Sequence, residues 1–408
     1  MTSFLVARQY IEEAASLRHT RTVLLRAPHV DLPALAREDQ RLVAHLDGAQ
    51  VAGDAGWQLA LAALAEEPGV GPAFTAAVLA LQRGDAAALD ALVDAPPDAA
   101  AQRGLVSALG WLSAGALKGL IVGWLEASQP TDAHARRHRL ALATCDSHRL
   151  DPGAAWISPA TLAAQPGTTR TAARLGRTDL LPAVYAAGDA QAAVLLGDRG
   201  AALAQLREQI HQPAALQLHQ LAAPPDAARA LVRSLATAPD ADLRLAIRAA
   251  AYAGDTQALP WLIQQMEDPQ RARLAGEAFT WITGAELDRL QLERLPTEAE
   301  LADPREDPAN DDVSLDEDDG LPWPDAPRVH AWWQAHRDRL PGPGQRCFMG
   351  APATDVANLQ QVLRHGRQRQ RHGAALLLTL NRPGTPLFNV AMPAWRQQRL
   401  LGLPITRR

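Results

Sequence analysis

The sequence predicts an all-α fold in which antiparallel helical hairpins stack side by side to form an α-solenoid. Alanine and leucine dominate the 408 residues, whereas aromatic residues make up only 4% of the chain. Strands prefer β-branched and aromatic residues, so this composition is typical of helices. Short breaks of two kinds recur along the chain, and each of them would end one helix and begin the next.

The first kind of break places a Gly at the end of one helix and an Asp or Thr at the start of the next. Gly accommodates the left-handed conformation that is common at helix ends, and the Asp or Thr side chain accepts a hydrogen bond from a free amide of the first turn. Such breaks occur in Arg83–Val93, Leu175–Tyr185, Leu196–Leu206 and Ala253–Ile263.

In the second kind of break, Pro and Asp open a helix that carries Arg on its outer side and Ala or Leu on its inner side. These helices begin within Ala95–Leu109, Gln129–Ala143, Ala223–Ala236, Ala238–Gly254 and Asp268–Gly284. Pairing the two kinds of break gives hairpins of about 28–33 residues, and a single hairpin cannot bury both of its faces, so the hairpins should stack. The clearest hairpin, Ala238–Gly284, resembles a HEAT-like repeat of the phycobilin-lyase type.

Changes in composition and in apolar periodicity along the chain predict four segments. An N-terminal helical cap covers residues 1–55, the HEAT-like α-solenoid covers 56–295, and a C-terminal helical repeat or cap covers 328–408. Between them, residues 296–327 contain twelve Asp or Glu and six Pro but a single Arg. We expect this acidic, Pro-rich insertion to be solvated and flexible, because it has no apolar periodicity.

Charge and cysteine usage exclude several classes of protein. The net charge is −5, whereas a protein that holds DNA by its backbone usually has a basic excess. Two cysteines, Cys145 and Cys347, do not make a disulfide framework. The N-terminus lacks the apolar core of a secretory signal, and no apolar run approaches the roughly 20 residues needed to span a membrane. We therefore expect a cytoplasmic protein with no membrane partner and no cofactor.

One group of side chains has the residue types of a metal site. His134 and His138 are four residues apart, which places both imidazoles on one face of a helix at a spacing that suits zinc. Cys145 lies on roughly the same face, and His148 follows it. The alternative is that the two histidines lie on a solvated, Arg-rich face while Cys145 is buried.

Motifs of other enzyme classes are missing from the sequence. There is no His-Glu dipeptide, which HEAT-like di-iron hydroxylases use at helix starts, and no P-loop or Gly-x-Ser-x-Gly elbow. The stretch Asp307–Asp318 lacks the Gly and the final Glu of a calcium-binding EF-hand loop. We therefore predict that the protein is not an enzyme.

A basic stretch near the C-terminus raises the possibility of nucleic-acid binding. Arg364, Arg367 and Arg371 would align on one face of a continuous helix, and Arg369 would not. The four guanidinium groups would suit phosphates in a HEAT-like nucleic-acid-binding protein or DNA-repair-type enzyme. The alternative is structural: the arginines cover the rim of a terminal helical pair and bond helix-end carbonyls, because the apolar chain after Gly373 must be buried.

Tryptophans and carboxylates surround the end of the acidic insertion. Trp and Arg are the residue types that anchor protein interfaces, so we select Trp323, Trp332 and Trp333 as candidate partner-binding residues. We expect Trp332 or Trp333, at least one of the two, to dock the C-terminal part onto the solenoid instead. The same selection includes Arg364, Arg367 and Arg371 and the carboxylates Asp316, Glu317, Asp318 and Asp319. The insertion would either attract a basic partner or cover the arginine stretch of its own chain.

The segment Arg346–Gln397 resembles the closing segment of an uncharacterised bacterial family of HEAT-like proteins. The matching features are the Arg- and Gln-rich run Gly366–Arg371, the Ala/Leu helix after it, Pro383–Asn389 and the closing Arg396–Gln397 pair. Genes of that family often accompany type VI secretion clusters. The resemblance implies a non-catalytic accessory protein, either an adaptor or chaperone or an immunity protein, whose partner is a secretion effector, a toxin or a spike component.

Overall fold

The computed structural model describes residues 4–95, 98–126, 131–301 and 317–405, and over these residues the fold is all-α. Its helices are separated by short turns, and the only sheet in the described chain is a two-stranded antiparallel hairpin. The described residues form two compact units. The first unit contains residues 4–26, 30–192 and 384–405, and the second contains residues 27–29 and 193–383.

The first unit contains twelve of the described α-helices. They are α1 (Phe4–Leu24), α2 (Leu32–Val51), α3 (Gly53–Glu66), α4 (Val70–Arg83), α5 (Ala86–Asp94), α6 (Ala99–Trp111), α7 (Ala114–Glu126), α8 (Asp132–His148), α9 (Pro159–Ala164), α10 (Thr169–Arg174), α11 (Leu181–Ala186) and, near the C-terminus, α23 (Ala394–Leu400). Helix α12 (Ala190–Leu195) contains the boundary between the two units.

The remaining described elements belong to the second unit. They are α13 (Ala201–Glu208), α14 (Pro213–Ala222), α15 (Pro225–Thr237), α16 (Leu243–Ala253), α17 (Leu259–Gln265), α18 (Pro269–Thr283), α19 (Glu298–Leu301), α20 (Ala326–His336), β1 (Cys347–Phe348), β2 (Ala351–Pro352), α21 (Val356–His365) and α22 (Gln368–Asn381).

Two of the breaks predicted from the sequence end one helix and begin the next as expected. Gly254 ends α16 in the left-handed conformation, with φ of 64°, and the Asp255 side chain accepts a hydrogen bond from the amide of Gln257 at 3.1 Å. The next break uses Asp268 as the N-cap and Pro269 as the first residue of α18. These two breaks confirm the helix boundaries predicted for Ala238–Gly284.

Alternate helices pack against each other in the first unit. Helix α4 packs against α6, and α6 packs against α8. Glycines permit the close approach of neighbours, because a Cβ added at Gly71 of α4 would overlap the carbonyl of Ala15 in α1, and one at Gly104 of α6 would meet the backbone of α4. Small residues therefore set the spacing of these helices.

The second unit repeats this arrangement with α14, α16 and α18. The buried amide of Gln220 on α14 donates to a carbonyl of α16 at 3.1 Å. The chain around β1 closes the C-terminal ends of two helices: the amide of Cys347 donates to the carbonyl of Gly254 at 2.7 Å, and the amide of Met349 donates to that of Trp281 at 2.8 Å. Helix-end carbonyls that would otherwise be unpaired are thus satisfied.

The two units do not coincide with the predicted segments. Their boundary after Ala192 lies inside the predicted solenoid 56–295, and the predicted C-terminal segment 328–408 is divided after Pro383. The reason is tertiary pairing that composition does not reveal. The amide of Leu387, for example, donates to the carbonyl of Arg174 at 2.8 Å, so the last described residues belong to the first unit.

Candidate partner-binding surface of the second unit

The end of the acidic insertion is held on the surface of the second unit. We call residues 317–325 the acidic anchor. The Asp318 carboxylate is only 3% exposed and accepts both terminal nitrogens of Arg244, at 2.7 and 2.8 Å. This forked geometry is the strongest form of an Arg–carboxylate pair. The sequence predicted that the whole insertion is solvated and flexible. This prediction is wrong for Asp318, because its side chain is buried and bound to Arg244.

Three further arginines contact Glu317 or Asp318, the first two residues of the anchor. Glu317 pairs with Arg248, which lies one turn after Arg244 on α16. The Arg273 guanidinium donates to the carbonyl of Asp318 at 3.2 Å, and the Arg369 guanidinium donates to the carbonyl of Glu317 at 2.7 Å. The outer arginines of α16 and α18 and an arginine of the basic stretch therefore meet the acidic chain.

Trp323 lies between two guanidinium groups. Its ring centroid is 4.9 Å from the Arg273 Cζ and 5.4 Å from the Arg294 Cζ, a geometry that favours cation–π attraction. Backbone hydrogen bonds also hold the chain around Trp323. The Arg294 amide donates to the Trp323 carbonyl at 2.8 Å, and the Asp325 amide donates to the carbonyl of Leu292 at 2.8 Å. Trp323 is thus a structural contact of the anchor.

The other predicted acidic residues have separate outcomes. Asp319, which is part of the anchor, is exposed to solvent. Asp316 lies outside the described residues. Of the four carboxylates selected from the sequence, Glu317 and Asp318 are bound to arginines of the same chain. The hypothesis was that the insertion covers the arginine stretch, whereas these two carboxylates bind Arg244 and Arg248 of α16. The anchor reaches the stretch through the Glu317 carbonyl, which accepts from Arg369.

The basic stretch does not form the single helix face predicted from its spacing. Helix α21 ends at His365 and α22 begins at Gln368, so Arg364 and Arg371 lie on different helices. The break arises at Gly366, whose backbone is extended with ψ of 170°. The alignment of Arg364, Arg367 and Arg371 was therefore wrong.

Most of these arginines bind groups of the protein itself. Arg367 pairs with Asp288 at 2.6 Å and with Glu286 at 3.5 Å. Arg371 is fully buried; its Nε donates to the Leu363 carbonyl at 2.8 Å, and a terminal nitrogen donates to the Gln368 side chain. A buried guanidinium cannot reach a phosphate, so Arg371 is structural.

Arg369 pairs with a carboxylate that sequence reasoning missed. Its Nη1 lies 2.8 Å and 3.0 Å from the two carboxylate oxygens of Glu277 on α18. Burial raises the pKa of Glu277, and the nearby Arg369 opposes that rise. The pKa of the neighbouring Tyr252 is raised to about 12, again mainly by burial. The sequence did predict arginines on the outer side of the helices that Pro and Asp open. It did not indicate which carboxylates those arginines would bind.

The remaining tryptophans of the selection lie on α20 and differ in their surroundings. The Trp332 ring packs edge-on against Phe279 at 5.8 Å between centroids and stacks on His336 at 4.3 Å. Among the described rings, Trp333 contacts only His330 of its own helix, at 5.7 Å. Trp332 thus packs α20 against Phe279 of α18, as expected for at least one of the pair, and Trp333 is half-buried.

The proposed metal ligands do not assemble. No three His, Cys, Asp or Glu side chains in the described residues are placed to hold a metal ion. The His134 and His138 rings are 6.1 Å apart, whereas the His148 Nε2 lies 3.0 Å from the Leu109 carbonyl. Burial raises the pKa of the Cys145 thiol to about 11. Cys145 is buried as the alternative required, but His138 is buried too, so the solvated-face interpretation is wrong for it.

Comparisons with family models, with curated proteins and with solved structures found no match. Among the described helices, none is long and apolar enough to cross a membrane. Its function therefore has to be inferred from its own residues.

Proposed function

We propose that the chain is a non-catalytic, protein-binding α-solenoid of HEAT-like hairpins that serves type VI secretion. Its role would be that of an adaptor or chaperone, or of an immunity protein, for a secretion effector, toxin or spike component. The observation that supports the protein-binding role is that arginines of the basic stretch bind groups of the protein itself, which weighs against nucleic-acid binding as the alternative.

The packing of alternate helices supports the solenoid assignment. In each unit a helix packs against the second helix after it, as in the series α4, α6, α8 and the series α14, α16, α18. Stacked helical hairpins produce this order, because equivalent helices of successive hairpins form one layer. The intervening helices α15 and α17 pack against α16 and α18 and would form the other layer.

The alternative function is nucleic-acid binding through Arg364–Arg371. Internal pairing reduces the positive charge that this stretch could offer to a phosphate. Arg367 and Arg369 are bound to carboxylates, and Arg371 is fully buried. A phosphate would have to displace these partners, and the displacement would offset the gain from counterion release.

Trp333 is the described residue best suited to anchor a partner. It lies half-buried on α20, with His330 one turn before it and the exposed Gln334 beside it. Large aromatic side chains at the centre of an interface supply much of its binding energy. The exposed carboxylate of Asp319 adds negative charge to the same unit and favours a basic partner.

The secretion-associated role is supported by the resemblance of Arg346–Gln397 to the closing segment of that bacterial family. The contacts of this segment are compatible with a non-catalytic role. Arg346, its first residue, donates to the carbonyls of Gln220 and Ala223, each at 2.7 Å, and so satisfies carbonyls at the C-terminal end of α14.

The test is a pull-down of the intact protein from the lysate of its native host at moderate salt, with mass spectrometry of the retained proteins. Wild type is compared with Trp333→Ala and with Tyr185→Ala, a control that removes an aromatic ring 50% exposed in the first unit. We expect one effector, toxin or spike component to be retained by wild type and by the control and to be lost from Trp333→Ala.

Other outcomes would contradict parts of the proposal. Retention of that protein by Trp333→Ala would remove α20 from the interface. Recovery of only nucleic acid and ribosomal proteins, lost as salt rises, would support the alternative function. In that case Arg364→Gln with Arg367→Gln should reduce the binding of labelled DNA and its dependence on salt.

A further inference from the structure

The first unit contains a cavity that the protein-binding function does not use. Its volume is about 790 Å³, within the range of small-molecule sites. Residues of α5, α6, α8 and α10 line it, together with Asn389 from the C-terminal part of the chain. A cavity bounded by several helices is a common place for a ligand in helical proteins.

Arginines from three helices converge on this cavity. Arg103 is on α6, Arg136 and Arg139 are one turn apart on α8, and Arg170 and Arg174 are one turn apart on α10. The lining contains two carboxylates, those of Asp98 and Asp146. Five arginines against two aspartates leave the lining with an excess of positive charge, which favours an anion.

Two of the arginines are already engaged. Arg136 donates to the carbonyls of Val93 and Asp94, at 3.3 and 3.1 Å, and Arg174 lies 3.0 Å from the Asp146 carboxylate. The Asp98 carboxylate is also engaged, because it accepts the amide of Ala101 at the start of α6.

The other three arginines are available to a ligand. Arg103, Arg139 and Arg170 are exposed, and within the part of the chain that the structure describes their guanidinium groups have neither a carboxylate nor a carbonyl partner. A guanidinium presents a fork of donors that matches the oxygens of a carboxylate or a phosphate.

The walls below the arginines are aliphatic. Leu92, Val93, Leu105 and Leu140 line the cavity. Leu92 is half-buried, and the other three are at most 8% exposed. None of the described residues that line it is aromatic, so a planar base would find no ring to stack on. An aliphatic chain would instead bury its methylene groups against these side chains.

We propose that this cavity binds an aliphatic organic anion, with its carboxylate or phosphate group at Arg103, Arg139 and Arg170 and its hydrocarbon chain along the leucine and valine walls. The two head groups share one recognition chemistry, since each presents oxygens to the guanidinium forks. The site is separate from α20 and the acidic anchor, so it can be tested independently of the protein partner.

Isothermal titration calorimetry of the full chain would test the site with four probes: decanoate, decyl phosphate, decanol and inorganic phosphate, each below its micelle-forming concentration. We expect decanoate, decyl phosphate or both to bind with one site per chain, and the preferred head group identifies the source of the anion. Decanol should bind at least about tenfold more weakly, because it lacks the charge that the arginines recognise.

Three variants keep the test specific. Arg139→Gln with Arg170→Gln should weaken binding of the anion about tenfold or more, and Val106→Glu should weaken it by placing a carboxylate in the lining. Arg37→Gln, which changes an exposed arginine elsewhere in the first unit, should leave binding unchanged. Circular dichroism and melting temperature establish that all of the variants fold.

The proposal is overturned by any of three results. These are the absence of saturable binding by both alkyl anions, equal binding of inorganic phosphate and decyl phosphate, and unchanged affinity in the folded double arginine variant. The second result would mean that the aliphatic walls contribute nothing, and the third that the arginines do not hold the head group.

Discussion

Asp39→Asn should release the C-terminal segment of the first unit. The Asp39 carboxylate accepts Arg21 Nε at 2.5 Å and Nη2 at 3.3 Å, and it also accepts the amide of Ala394 at the start of α23, at 2.6 Å. The Arg21 guanidinium in turn donates to the carbonyls of Ala391 and Met392, at 3.0 and 2.9 Å. One buried ion pair therefore joins α1, α2 and the chain that leads into α23.

The burial of this pair sets the size of the effect. The side chains of Arg21 and Asp39 are only 3% and 1% exposed. Removing the charge of one partner leaves the other charge buried without compensation, which costs about 3–5 kcal/mol. By contrast, the neighbouring Glu38 pairs with Arg41, whose side chain is 59% exposed, and such a surface pair is worth about 0–1 kcal/mol.

Hydrogen exchange read by mass spectrometry would measure the effect locally, because a chain with two units need not unfold in one step. In Asp39→Asn the amides of residues 394–401 should exchange about two to four orders of magnitude faster than in wild type. Glu38→Gln is the matched control and should change their exchange little. Unchanged exchange in Asp39→Asn would refute the inference that the Arg21–Asp39 ion pair holds residues 394–401 in place.

Three further predictions concern the second unit. Asp318→Asn should loosen the acidic anchor by about 1–3 kcal/mol, because Arg244 loses a forked charge-assisted partner, and this should be visible as faster amide exchange at residues 317–325. Gly373→Ala should lower stability to urea by about 1–3 kcal/mol, since the added Cβ would overlap the Trp281 indole. Iodoacetamide should modify Cys347 far more slowly in the native protein than in urea, because burial both hides the thiol and raises its pKa to about 12.

The helices could be predicted from the sequence because their signals are local. Gly254 and Asp255 determine a helix end and the following start through their own backbone and side chain. The same holds for Asp268 and Pro269 at the start of α18. Such signals act over a few residues, so composition and spacing were sufficient to place them.

The candidate binding surface depended on contacts between distant residues and was predicted less well. Asp318 lies 74 residues after Arg244 in the chain, and nothing in either local sequence selects the other. The spacing of Arg364, Arg367 and Arg371 predicted one aligned face, whereas α21 ends at His365 and a new helix begins at Gln368. Gly373 lies inside α22, where the Trp281 indole leaves no room for a side chain, and no local signal in the sequence indicates this contact.

Internal pairing makes the count of arginines a poor guide to the positive charge that a partner would meet. On the second unit, Arg244 and Arg248 are occupied by carboxylates of the same chain. Because these carboxylates belong to the same chain, their effective concentration at the arginines is high. A free phosphate or an acidic peptide would have to displace them in order to bind. The partner of this unit is therefore expected to recognise shape, aromatic surface and exposed carboxylates rather than basic charge. In the first unit, Arg103, Arg139 and Arg170 meet no such competitor among the described residues, which is why an anion is expected there and not at the basic stretch.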